Sequence, residues 1–175
     1  MTETATTTEH SIARTALADL EPELAATRRV LERVPTDQLG WKPHPKSFSI
    51  GDLASHVANL TGWTSVILTS DELDLATQGK QSSPESSAAI LAMFDENAAA
   101  VRGAITGAAD ATMQGQWTLR VGDHVILQMP RVAVIRSMVL NHIIHHRAQI
   151  GVYLRMLDIP VPATYGPTAD EQWSG

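Results

Sequence analysis

Seven histidines and no cysteine mark the 175-residue chain. Two of them, His142 and His146, stand four residues apart in NHIIHHRAQIGVYL, and a third, His56, lies in SIGDLASHVANL. Side chains four apart on a helix are neighbours one turn apart. Neutral imidazole nitrogens converging in a core are what a transition metal binds, at about 2.0–2.1 Å for zinc. An i, i+4 pair supplies two ligands from one rigid helix, and a histidine on a facing helix supplies the third. Three protein ligands leave positions open for water or substrate, which is the arrangement of a catalytic metal. The competing reading is a set of core histidines, each satisfied by a hydrogen bond. Ile143 follows His142, so the glutamate of the H-E-x-x-H zinc-protease motif is missing.

With about 100° per residue and His142 at zero, Ile135, Met138, Val139, His146, Gln149 and Tyr153 fall within about 60° of it. That sets the pair in the middle of a buried face. His145 falls at the edge of that face, and Arg147 points well away. On the preceding helical segment His56 sits about 60° from Leu53, between Leu60, Ile67 and Trp63. Gln149 and Tyr153 are candidates for orienting a water or substrate oxygen. Their plainer roles are a hydrogen bond to a histidine N–H and a core ring with a bonded hydroxyl. His145 is an alternative to His146, because i, i+3 spacing also serves. His44, between two prolines, is a candidate for the mouth of the site, although a surface loop accounts for it. His124 and His10 are expected to be exposed. Trp63 is pocket wall or core, and Asp52 is explained as part of a helix cap.

The elements that must hold these residues are four long helices. Residues 8–34 repeat Ala13, Leu17, Leu20, Leu24, Thr27, Leu31 and Val34 on one side, with Pro22 expected to kink the helix or mark a late start. Residues 35–48 form a loop. The second helix opens on Ser49 as N-cap, with Asp52 completing a capping box and Phe48 stapled to Leu53. It buries Ile50, Leu53, Val57, Leu60, Thr64 and Ile67. Residues 71–83 read as a polar surface connection, and Ser83-Pro84 as the next N-cap and first helical position. The third helix buries Ile90, Phe94, Asn97, Val101 and Ile105 and stops at Gly107. Residues 116–128 form a short hairpin about Gly122-Asp123. Pro130 opens a last helix of about 28 residues, running to near Asp158. The predicted fold is all-α, a four-helix bundle with a short β-hairpin before the last helix, in one domain over residues 1–175.

Composition narrows the functions. The chain is 43% hydrophobic and 18% charged with a net charge of −6, so it is globular and lacks the basic footprint of a nucleic-acid binder. Without cysteine it has no disulfide, no thiolate metal site and no cysteine nucleophile. The opening MTETATTTEHS lacks the apolar stretch of a secretory signal, and no apolar run reaches the roughly 20 residues of a membrane span. A soluble, cytoplasmic protein is expected. No Ser/His/Asp arrangement or phosphate-binding glycine loop is apparent.

FSIGDLASHVANL, the WKPHPKS segment before it, and NHIIHHRAQIGVYLRMLDIPVPATYGPTADE together resemble the DinB/YfiT-like superfamily of bacterial proteins, over nearly the whole chain. In that superfamily a histidine of helix 2 and an H-x-x-x-H pair before R-G-Q or R-A-Q bind a divalent metal. The resemblance carries this onto His56, His142 and His146, with the usual R-G-Q appearing as Arg147-Ala148-Gln149. It implies an up-down-down-up bundle, frequently a homodimer. It also implies a divalent ion such as zinc, nickel or iron. Some relatives transfer low-molecular-weight thiols such as bacillithiol, or isomerise maleylpyruvate with mycothiol. The expectation is a metal-dependent enzyme acting on a small molecule, first as a transferase using such a thiol and second as a hydrolase. The alternative is a non-catalytic metal- or ligand-binding bundle.

Overall fold

The computed structural model describes residues 10–79 and 84–172. Helix α1 spans Ser11–Leu31, α2 Ile50–Thr69, α3 Ser87–Thr106, the short α4 Asp110–Gln114, α5 Arg131–Val134 and α6 Asn141–Met156. A π-helical turn, Ile135–Leu140, joins α5 to α6. Val134, Ile135, Leu140 and Asn141 keep right-handed helical dihedrals, so these three segments are one continuous last helix. Within it the Asn141 N–H reaches the Arg136 carbonyl, five residues back instead of four.

Side-chain pairings set the helix directions. Glu21–Arg102 and Arg28–Asp95 run α1 against α3 in opposite senses. Asp19–Arg136 and Glu23–Arg147 run α1 and the last helix in the same sense. His56 meets His142 and His146 near the start of α2, whereas the Ile67 carbonyl near its end accepts from Arg131, so α2 opposes the last helix. The four long helices therefore go up, down, down, up, as expected. Each of α1 and α2 packs on both α3 and the last helix, which leaves α1 and α2 diagonal. The core between them is aliphatic, with Phe94, Met113 and Trp117 filling it.

Local chemistry accounts for most boundaries. Ser49 Oγ accepts from the Asp52 N–H at 3.0 Å and donates to the Asp52 carboxylate at 2.7 Å, capping α2 as expected. Helix α1 passes through Pro22 and starts at Ser11, so the proline does not delay the start; residues 8 and 9 lie outside the described residues. Leu17 is only half-buried and Val30 takes a core place instead. The cap of α3 is Ser86, whose Oγ accepts from the Ala89 N–H at 3.1 Å; Pro84 lies before the helix, and Ser83 lies outside the described residues. Asn97 is half-buried, not core, because its amide donates to the Ala58 carbonyl across the α2–α3 contact at 2.9 Å. A Cβ on Gly62 would come within 2.9 Å of the Asn97 side chain, so glycine there admits it. Helix α6 ends in a Schellman motif: Ile159 N–H bonds to Leu154 O and Asp158 N–H to Arg155 O, with Asp158 at φ 57.

The hairpin is present as β2 (Gln116–Val121) and β3 (His124–Pro130), antiparallel, with Gly122 at φ +55 in the two-residue turn. The polar connection after α2 holds more structure than expected. Its Glu72–Asp74 is a strand, β1, parallel to β2, and a 3₁₀ turn follows at Leu75–Thr77. The sheet order is β1-β2-β3. Arg120 ties the sheet together by pairing with Glu72 and Asp74, each at 2.7 Å. Both acids thus turn to one side of β1, and Leu73 between them turns to the other. No helix among the described residues is long and apolar enough to cross a membrane.

Candidate metal centre

The loop between α1 and α2 locks the start of α2 in place. Ile50 N–H donates to Trp41 O and Gly51 N–H to Leu39 O. A Cβ on Gly51 would lie 2.8 Å from that Leu39 oxygen, so only glycine allows this approach. The Trp41 ring then packs edge-on against Tyr153 of α6, with centroids 5.6 Å apart. This contact braces the first turns of α2 against the stretch of α6 that carries the histidine pair.

His56, His142 and His146 converge there. Ring centroids are 5.2 Å apart for His56–His142, 4.9 Å for His56–His146 and 4.6 Å for His142–His146. One ligand nitrogen from each lies within 4.8 Å of the other two, the one such group among the described residues. The triad lies at the margin of the core and not in its middle. His146 is 9% exposed, His56 and His142 are half-buried, and the buried stripe of α6 runs through Ile143, His146, Arg147, Ile150 and Leu154. The face extrapolated through Ile135 and Met138 was displaced because the π turn departs from 100° per residue.

The electrostatics keep the rings neutral. Burial, and then repulsion by His146 and His142, pushes His56 down to about 4. Burial also lowers His142, and His146 lowers it further, against a hydrogen bond from its ring to the Met138 carbonyl. Burial lowers His146 against its bond to Gln149, and His145 adds to the lowering. Three unprotonated imidazoles therefore face one another near neutral pH. Gln149 Oε1 lies 2.7 Å from His146 Nδ1 and accepts a hydrogen bond from its N–H, which leaves the Nε2 lone pair available. Phe48, 56% exposed and outside the core that holds Leu53, stacks on His56 with centroids 6.2 Å apart.

The other candidates separate cleanly. His145 is exposed, with its ring 4.9 Å from His146. His44 is exposed and accepts from the Lys46 N–H at Nδ1. His124 is exposed as expected, whereas His10 is half-buried with Nδ1 2.9 Å from the Ala108 carbonyl. Trp63 lines a cavity of about 310 Å³ beside His56. Arg147 does point away from the triad, but it is 3% exposed and pairs with Glu23 at 2.7 Å. Its guanidinium also lies 5.2 Å from the Tyr165 ring, whose hydroxyl donates to Glu23. The proline-rich tail is thereby clamped onto α1 and α6. Sequence reasoning missed this network, and an arginine next to a ligand-type histidine on the opposite helix face was the available signal.

The donor set suits a borderline divalent ion: three nitrogen donors, no thiolate and no carboxylate in the group. Nitrogens at 2.0–2.1 Å around a tetrahedral ion stand about 3.3 Å apart, and those of this cluster lie within 4.8 Å of one another.

Comparison with known proteins agrees with this architecture. The family model of the DinB family matches residues 5–174. The uncharacterised protein YrdA of Bacillus subtilis strain 168 is 26% identical over 166 residues, covering 90% of each chain. A DinB-like protein from Bacillus cereus ATCC 10987 superposes with a TM-score of 0.67 at 18% identity, over 87% of this chain and 97% of that one. A second DinB-like protein, YjoA of Bacillus subtilis, gives a TM-score of 0.64 at 12% identity, over 91% and 99%.

Proposed function

The chain belongs to the DinB family, and from that premise we propose that it is a metal-dependent enzyme. In this reading His56, His142 and His146 hold one divalent ion, zinc, nickel or iron. The observation that carries it is the triad: three neutral imidazoles from two helices with ligand atoms within 4.8 Å of one another. Such an ion, when bound, would lower the pKa of a water or thiol and make it a nucleophile. The protein's residues prepare that site. Gln149 accepts a hydrogen bond from the Nδ1–H of His146 and so fixes its tautomer, and the Met138 carbonyl accepts from the His142 ring. Phe48 stacks on the His56 ring, and Tyr153 meets the loop through Trp41.

The first reaction class is transfer of a low-molecular-weight thiol to an electrophile, and the second is hydrolysis. Since the chain has no cysteine, any sulfur chemistry belongs to a bound thiol. A cytoplasmic homodimer without nucleic-acid or membrane partners completes the reading. The test is a turnover screen of zinc-, nickel- and iron-loaded protein against electrophiles, with several low-molecular-weight thiols and with water alone. Turnover should disappear in His142→Ala and persist in His44→Ala. Full metal loading with no turnover of any pair would favour the non-catalytic alternative.

A further inference from the structure

Another cavity, of about 330 Å³, lies against a different face of α6 from the histidine pair. At about 100° per residue, Arg147 is turned about 100° from His146, and Gly151 about 140°. One wall is the α6 face through Ile144, Arg147, Gly151 and Arg155, and the other is the tail through Val161, Pro162 and Tyr165. The tail wall is fixed by its own bonds. Val161 and Ala163 donate their N–H groups to Asp170 and Glu171, and Thr168 Oγ closes the loop onto the Val161 carbonyl at 2.8 Å. Glycine favours a helix less than any residue but proline, yet Gly151 sits inside α6 with no crowding that requires it. A Cβ there would meet only Val161 Cγ1, at 3.7 Å, which is ordinary contact. The missing side chain keeps the cavity open between helix and tail.

The polar end of the cavity is Arg147, buried to 3% exposure. A guanidinium carries five N–H donors. What Glu23 and Thr27 take from it all comes from Nη1, and neither of them lines the cavity. Nε and Nη2 hold three more hydrogens. Beyond Glu23 and Thr27, the Tyr165 hydroxyl is the one acceptor near this guanidinium among the described residues. Arg155 meets Asp170 through Nη1 and Nη2, which leaves its Nε. The Nε–Nη2 edge of an arginine takes a planar carboxylate by two parallel bonds. Glu23 and Asp170 hold the two arginines from outside the lining, so a ligand meets guanidinium first. Beside these groups stand Val152, 58% exposed, and the Tyr165 ring, 64% exposed, apolar surface that the fold leaves to solvent. A mostly apolar cavity with one charged anchor suits a ligand with an apolar body and an anionic end.

We infer that this cavity binds a small carboxylate with a short apolar body, its carboxylate on Arg147 and its body between Gly151 and the tail. The site needs no metal ion and stands independently of the function proposed above.

The experiment titrates 3-phenylpropionate, 3-phenylpropan-1-ol and acetate into chelator-treated protein, followed by amide chemical shifts in NMR. The acid should bind at least about tenfold more tightly than the alcohol, which lacks the charge-assisted pair, and than acetate, which lacks the body. Amide shifts should move at Gly151, Val152 and Tyr165 and stay in place at His56 and His142. Gly151→Leu fills the cavity from the helix; it should keep the wild-type helical circular dichroism and weaken the acid by about tenfold or more. Arg147→Met combined with Glu23→Gln removes the anchor together with its partner, and should bind the acid no better than the alcohol. Equal binding of acid and alcohol to wild type, or no saturable binding of the acid, would overturn the inference. So would shifts centred on the histidines, or undiminished acid binding in a folded Gly151→Leu.

Discussion

Acid sensitivity of the metal-free protein follows from the triad's geometry. His56 has an ordinary value of 6.5 when unfolded and is held at about 4 in the folded chain by burial and by its two histidine neighbours. Because the folded value lies below the unfolded one, the unfolded chain binds the proton first as pH falls. Stability is therefore complete above about pH 6.5 and drains away as the pH drops towards about 4. Between pH 7 and pH 5 the linkage amounts to about 1.8 kcal/mol for this ring, trimmed to about 1–1.5 because it is half-buried and solvent screens it. His142 and His146 are shifted in the same direction and add to the loss. The assay is urea unfolding of chelator-treated protein at pH 7, 6 and 5, followed by circular dichroism, beside His56→Leu. The variant should show a visibly flatter profile than wild type. A wild-type stability that stays level from pH 7 to pH 5, or a His56→Leu profile of equal slope, would refute the reasoning that neutral rings crowd one another here.

Two substitutions test the surroundings of the triad. Gln149→Leu removes the acceptor 2.7 Å from His146 Nδ1 and should cost about 10–100-fold in zinc affinity, measured by competition with a chromophoric chelator, while Gln149→Glu retains most of it. Arg147→Met strands the Glu23 carboxylate, whose side chain is 12% exposed, and should cost about 3–5 kcal/mol in urea unfolding. The double variant with Glu23→Gln should recover much of that loss.

The helices were legible because their apolar residues recur at helical spacing and their ends carry cap chemistry, as at Ser49-x-x-Asp52 and Gly107. The hairpin was legible from Gly122-Asp123 between β-prone runs. Strand β1 was not, because Glu72-Leu73-Asp74 has one apolar residue and owes its conformation to pairing with β2 and to Arg120. The three histidines could be placed from spacing, and the structure brings all three together. Their depth could not be placed, because the π turn at Ile135–Leu140 has no signature in a local hydrophobic pattern. Arg131 escaped notice for a related reason. It sits at the start of a helix, where a charge looks ordinary, yet its guanidinium is spent on the carbonyls of Ile67, Gln116 and Ser70 and on Asp71. Tertiary partners decide such residues, and no periodicity reports them.

The central claim concerns the three histidines as one metal site. Elemental analysis of protein purified without a metal-affinity tag addresses it most directly, with His56→Ala and His44→Ala prepared in parallel. About one divalent ion per chain is expected in wild type and in His44→Ala, and near-zero metal in His56→Ala, where one of three ligands is lost. Near-zero metal in wild type that zinc addition does not restore, or full occupancy in His56→Ala, would contradict it.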